Sequence, residues 1–222
     1  QKQKEEAGLR QFASLRKAYF ISSVEDTSVT SPLFPILLRM EDGDGLSEDE
    51  LDWLEKKRLY SVLAIHYERE YDETGDGWCL VNAWSNWRKA RLPRKVTEYH
   101  GNVMAPDPKL RAALFTARGG ACRDLGELYE AEQFARKAIA ANPESHHPYN
   151  LLGAICFQSG RPEEGEVHIQ NAILRGAQPK ETESMIFSSV RAAPPEDCER
   201  TAQYLLKKDP EQYAWAEHYL RH

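Results

Sequence analysis

Two pairs of glycines recur at one interval. Gly119 and Gly153 are 34 residues apart, and so are Gly126 and Gly160. Cys122 and Cys156, Ala131 and Gly165, and Ala138 and Ala172 keep the same spacing of 34. A fixed period of this length constrains the fold more than any short motif. A unit recurring every roughly 20–50 residues is one supersecondary element that buries its apolar face by stacking on its neighbours. The stretches "LGELYEAEQFARKAIAANP" and "SGRPEEGEVHIQNAILRGA" show the unit as helix, glycine turn and second helix. Its small residues fall where the two helices would cross, and helices approach closely only where side chains there are small.

This pattern resembles the tetratricopeptide repeat, a helix-turn-helix unit of about 34 residues. The resemblance places Gly119 and Gly153 midway along helix A and Gly126 and Gly160 at the turn. Ala131, Gly165, Ala138 and Ala172 take the small positions of helix B, and Pro143 follows it. Weaker copies flank the middle two. "ARLPRKV" and "APPEDC" align with "GRPEEG", setting Pro93, Pro162 and Pro195 at one turn position, and Pro210 closes the last copy as Pro143 closes the second. The helix-B series becomes Val96, Ala131, Gly165 and Cys198, at intervals of 35, 34 and 33. The units expected are 77–105, 108–143, 145–178 and 179–210. Departures are clear. His100, Ala135, Ile169 and Ala202 replace the helix-B aromatic, and Trp84 and Ile186 stand where helix A usually has glycine. Terminal repeats are atypical because one face lacks a neighbour. The expected fold is an all-α, TPR-like α-solenoid: an N-terminal helical extension over 1–75, four repeats over 76–210, and a capping helix, "EQYAWAEHYL", within 211–222.

Within the N-terminal third, Leu9, Phe12, Ala13, Arg16 and Tyr19 have helical spacing. A Ser/Thr-rich loop should follow, then "PLFPILLRM", where Pro32 and Pro35 argue against a regular helix from end to end and for a short helical or extended apolar strap on the repeat stack. Leu51, Leu54, Leu59, Val62, Leu63 and Ile65 predict one long helix over about 47–71. Its approach, "EDGDGLSEDE", looks like a calcium loop. With Gly45 at the sixth place, however, Met40, Ser47 and Leu51 occupy places that need an acid, an aliphatic residue and a glutamate. The same residues make a helix start. Ser47 and Glu50 form a capping box, and Leu46 and Leu51 a hydrophobic staple.

No apolar run reaches the ~20 residues of a membrane span. Four scattered cysteines without metal spacing read as free thiols of a reducing compartment, so the expected location is cytoplasmic. No metal site is expected. His146 and His147 are adjacent and lack a completing ligand set, and His66 and Glu70 lack an HExxH frame. No nucleophile with a base and no phosphate loop is present, so neither enzymatic activity nor a cofactor is expected.

Two surfaces remain. "NWRKARLPRK" gathers Arg88, Lys89, Arg91, Arg94 and Lys95 beside Trp84 and Trp87. This turn could dock an acidic peptide or a nucleic-acid strand, or balance the acidic helix over 47–55. The TPR resemblance implies a concave groove lined by helices A. Its positions here are Arg88 and Lys89, then Thr116, Gly120, Arg123 and Asp124, then Asn150, Ala154, Phe157 and Gln158. Val81 and Ser85 replace the Lys and Asn of a chaperone-type carboxylate clamp. The favoured function is a scaffold binding another protein or peptide, an acidic one included. Gln1 in first place and the lack of a catalytic set also fit a recognition or regulatory domain, or a subunit, of a larger enzyme. A net charge of -6 disfavours nucleic-acid binding.

Overall fold

The structure, a computed structural model, describes residues 2–22, 24, 26–101, 103 and 105–220. Among them every regular element is helical. The fold is an all-α helical repeat, as the period required. The chain divides into two compact units, Gln1–Tyr99 and His100–His222.

The first unit holds α1 (Lys2–Ala18), α2 (Leu33–Glu41), α3 (Glu48–Lys56), α4 (Tyr60–Thr74), α5 (Gly77–Lys89) and the single turn α6 (Arg94–Thr97). Phe12, Leu15 and Tyr19 meet Leu33, Ile36, Leu37 and Met40 of α2, Leu54 of α3, and Val62 and Leu63 of α4 in one core. Of the two forms expected, the strap takes the helical one, and it lies inside this core rather than on the repeats. Pro35 lies in the first turn of α2, where a backbone N–H has no intrahelical partner to lose. Arg69 of α4 fixes it by donating to the Met40 carbonyl and, at 3.1 Å, to the Tyr19 hydroxyl. That hydroxyl donates to Glu41 at 2.9 Å, and burial helps push its pKa up to about 12.

The single long helix expected over 47–71 is two helices. Arg58 adopts φ 56, and Leu59 N–H reaches back to the Leu54 carbonyl at 2.9 Å while Arg58 N–H reaches Glu55. This is a Schellman stop, completed by apolar contact of Leu59 with the core that holds Leu54. Arg91 repeats the device after α5 at φ 61, with Leu92 N–H bonded to the Trp87 carbonyl.

The start of α3 forms as expected. Ser47 Oγ accepts from Glu50 N–H, and Glu50 accepts from Ser47 N–H at 2.9 Å. Leu46 and Leu51 both pack on the core, and Asp52 pairs with Lys56 one turn on. Arg39 also pairs with Glu50. The hydrogen bond from Arg39, then that from the Ser47 backbone, lowers Glu50 from 4.5 to about 2. A depressed carboxylate stabilises the fold above its unfolded pKa and loses that contribution as pH falls through its folded pKa. Urea midpoints should therefore favour the native chain over Glu50→Gln at neutral pH. The gap should close between pH 4.5 and about 2.

The second unit contains three successive helix pairs: α7 (Pro108–Asp124) with α8 (Leu128–Ala141), α9 (His147–Gln158) with α10 (Pro162–Leu174), and α11 (Pro179–Ala192) with α12 (Pro195–Lys208). The small positions work as contact seams. A Cβ on Gly119 would lie 3.1 Å from the Ala131 carbonyl oxygen, and one on Gly153 would lie 3.3 Å from that of Gly165. Gly126 and Gly160 turn the chain at φ 81 and φ 65. Asp197 leaves no room beside Gly160 in any case, since a Cβ there would sit 2.4 Å from its Oδ1. The third pair has Ile186 and Cys198 instead of small residues, and both are buried with Phe157, Val190 and Leu205.

The first expected repeat, 77–105, departs from this scheme. Its second helix stops after one turn, and α5 packs against α4. Trp84 is buried where a close crossing would need glycine, and its ring meets Tyr99 edge-on at 5.7 Å. At the C-terminus the expected capping helix is a 3-10 helix, Ala214–Tyr219, whose Trp215 lies edge-on to Phe187 at 5.0 Å. Arg221 and His222 of that segment lie outside the described residues. The four cysteines are free: Cys122, Cys156 and Cys198 are buried, and Cys79 is partly so.

Candidate binding surface

The sequence-predicted residues fall in both units. Arg88, Lys89, Arg91, Arg94 and Lys95 belong to the first, and Arg123, Asn150, Phe157 and Gln158 to the second. In the first unit the basic turn is largely engaged by its own surroundings. Lys89 Nζ lies 3.6 Å from Glu55 of the acidic helix and 5.3 Å from the centre of the Tyr60 ring. Arg94 pairs with Glu98 at 3.6 Å. Lys95 Nζ sits 4.3 Å from the Phe20 ring centre and 5.5 Å from that of Trp87. Those two rings pack edge-to-face at 5.6 Å, and Trp87 Nε1 donates to Glu68 at 2.7 Å. Arg88 has interactions of its own. These cations hold α5 and α6 to the acidic and aromatic side chains around them.

In the second unit the helix-A row is only partly open. Every residue of α9 from Leu151 to Gln158 is buried, the signature of a helix covered all round. Ala154 is fully enclosed. Phe157 is 2% exposed and packs with Ile169, Ile186 and Leu205. Gln158 is 6% exposed. Phe157 and Gln158, expected to line an open groove, are therefore interior residues. α11 and α12 pack on this end of α9, and Thr201 donates to the Phe157 carbonyl at 2.9 Å. Gly120 is buried too, and Thr116 turns its hydroxyl back to the Ala112 carbonyl at 2.8 Å.

Arg123 and Asn150 keep access to the surface. Arg123 lies 3.4 Å from Asp124, with 18% of its side chain exposed. Asn150 is half-buried on the first turn of α9. Its Oδ1 is enclosed without a hydrogen-bond donor among the described residues. An enclosed amide oxygen without a donor costs about 1–3 kcal/mol. Half a turn about its last side-chain bond exchanges the oxygen for the nitrogen, because such bonds have two nearly equivalent settings.

Sequence reasoning missed a clasp at the turn between α9 and α10. Arg161 donates to Glu132 at 2.8 Å and to Glu164 at 2.9 Å, while Arg136 lies 2.6 Å from Glu132 and 3.9 Å from Glu164. The local pairs are spaced for one helix, but the 29-residue link from Arg161 to Glu132 has no local signal. Cys156, Glu164 and His168 each bring a ligand atom within 4.8 Å of the others. Both arginines already engage Glu164, and burial pushes the Cys156 thiol up to about 12 and lowers His168. Of the three, Glu164 is the one drawn into the arginine clasp.

Fold and surface together define a helical-repeat protein. Among curated proteins, the chain is similar to one of Arabidopsis thaliana that carries the name pentatricopeptide repeat-containing protein. The two are 30% identical over 122 residues, 55% of this chain and 25% of that protein. The chain thus spans about a quarter of that relative's length. No family model and no solved structure matches it.

Proposed function

We propose that this protein is a non-enzymatic scaffold that binds a partner polypeptide on the helix-A row of its second unit, with Arg123 and Asn150 as contacts. The observation that carries this reading is that, of the expected helix-A contacts Arg123, Asn150, Phe157 and Gln158, the first two keep access to the surface while the last two are interior. A primary amide can both accept from and donate to a peptide backbone. Arg123 supplies a fork of N–H donors for a carboxylate or carbonyl. Small-residue seams hold the helices, so both groups are positioned before binding, which lowers the entropic cost of association. The likeness to a named repeat protein supports the repeat scaffold and leaves the partner to this surface.

Random-peptide display against the full chain tests the reading. Binders should be recovered, and their affinity should fall about tenfold in Asn150→Leu and in Arg123→Glu. A control such as Glu144→Gln should leave it unchanged. Selection yielding no binder, or binders indifferent to both variants, removes the proposal.

A further inference from the structure

Three side chains of different chemistry converge at the α9–α10 hairpin of the second unit. Cys156 Sγ, a carboxylate oxygen of Glu164 and an imidazole nitrogen of His168 all lie within 4.8 Å of one another. Glu164 and His168 stand one helical turn apart on α10 and so share one of its faces. Cys156 approaches them from α9 because Gly165 has no side chain in the way. A Cβ on Gly165 would lie 3.2 Å from the Cys156 Cβ. No local frame announces the set, since the turn at Gly160 is what folds Cys156 back onto the α10 pair.

The arginine clasp leaves part of Glu164 for other work. Arg161 donates to its Oε2 at 2.9 Å, whereas Oε1 lies 3.7 Å from His168 Nε2. Arg136 is 3.9 Å from Oε1, beyond hydrogen-bond reach, and holds Glu132 at 2.6 Å instead. In a tetrahedral site with bonds of about 2.0–2.3 Å, neighbouring ligand atoms stand roughly 3.3–3.8 Å apart. The gap between Glu164 and His168 already has that width, and drawing in the third atom needs a movement of about 1 Å or less. Glu132 and Glu164 balance Arg136 and Arg161, so these four add no net charge against a cation. Cys156 is fully enclosed, while His168 and Glu164 are 17% and 41% exposed and give access from solvent.

We propose that Cys156, Glu164 and His168 bind a zinc ion, which ties α9 to α10. Thiolate, imidazole and carboxylate are the three groups by which proteins hold zinc, and a water completes the tetrahedron. Magnesium and calcium seek oxygen and gain little from a sulfur ligand. Binding expels the thiol proton to the buffer, so affinity rises with pH. Arg161 acts as a positioning residue, because its hold on Oε2 leaves Oε1 for the ion. The site shares no residue with the Arg123 and Asn150 surface proposed above, so either proposal can fail alone.

The test titrates the reduced, chelator-treated full chain with cobalt(II), whose bond to a thiolate gives a charge-transfer band in the near ultraviolet. One equivalent should raise that band, and zinc should bleach it by displacement. Cys156→Ser should abolish the band, and Cys198→Ser should leave it intact. His168→Gln and Glu164→Gln should each weaken cobalt binding at least about tenfold, since even an outer partner of a metal ligand is worth that much. Zinc should raise the melting temperature of the native chain but not that of His168→Gln. Circular dichroism reports which variants fold. His168→Gln changes a partly exposed side chain and decides the matter if Cys156→Ser does not fold. A native chain without the band, a band that survives Cys156→Ser, affinity unchanged in both α10 variants, or a native melting temperature unmoved by zinc overturns the proposal.

Discussion

Gly153→Val should destabilise the second unit by roughly 3 kcal/mol or more, a large share of the stability of an ordinary domain. A Cβ at this position falls 2.6 Å from Ile169 Cδ1, 3.0 Å from its Cγ1 and 3.3 Å from the Gly165 carbonyl oxygen. The tip of an isoleucine can turn aside, but the backbone oxygen moves only if α9 and α10 separate. Alanine is the milder case, because its better helix propensity returns about 1 kcal/mol. Pairing Gly153→Ala with Ile169→Val should then recover part of the loss, since the truncation removes the nearest clashing atom. Gly45→Ala is the control: nothing lies within 4 Å of its Cβ. Urea denaturation of the four variants checks all of this. Equal midpoints for Gly153→Val and the native chain would show that the seam is looser than described.

Phe157→Ala is the second large effect, expected at about 3–5 kcal/mol. The ring is 2% exposed and packs with Ile169, Ile186, Val190 and Leu205. It also borders a cleft of about 200 Å³ that reaches Tyr204, Leu205 and Tyr213. Truncation enlarges an existing gap, and cavities left beside buried side chains account for the upper part of that range. An exposed groove residue would instead change stability by less than about 0.5 kcal/mol. Thermal unfolding of Phe157→Ala therefore separates the interior role from the binding role expected on repeat spacing alone. A melting temperature within error of the native chain would return Phe157 to the surface.

The contrast between these two positions shows what the sequence could reveal. Gly119, Gly153, Gly126 and Gly160 were legible because each meets a local demand, a close crossing or a left-handed turn. Such demands leave a mark at fixed intervals. The capping box at Ser47 and Glu50 was legible for the same reason. The burial of Phe157 and Gln158 depends on helices many residues away that pack on their end of α9, and nothing in "ICFQ" records it. The stop at Arg58 was hidden for a different reason. A left-handed residue there needs no glycine when Leu59 both closes the hydrogen bonds and packs on the core. Pro35 left the strap's form open, helical or extended, because its effect depends on position: disruptive inside a helix, harmless in the first turn. The basic turn was visible as composition, but the ring that Lys95 covers belongs to Phe20, 75 residues earlier, and no local pattern joins them.

The free cysteines have a consequence for how this unit can be watched. Cys122 lies on α7, Cys156 on α9 and Cys198 on α12, so each of the three helical hairpins carries one shielded sulfur. Burial raises the pKa of all three, which keeps them protonated and unreactive while their hairpin is closed. An alkylating reagent reaches each sulfur only when its own hairpin opens. Repeat arrays hold together through nearest-neighbour contacts, so hairpins at an end can open without those in the middle. The native chain therefore comes with three reporters already installed, whose order of modification reads out the order in which the stack comes apart.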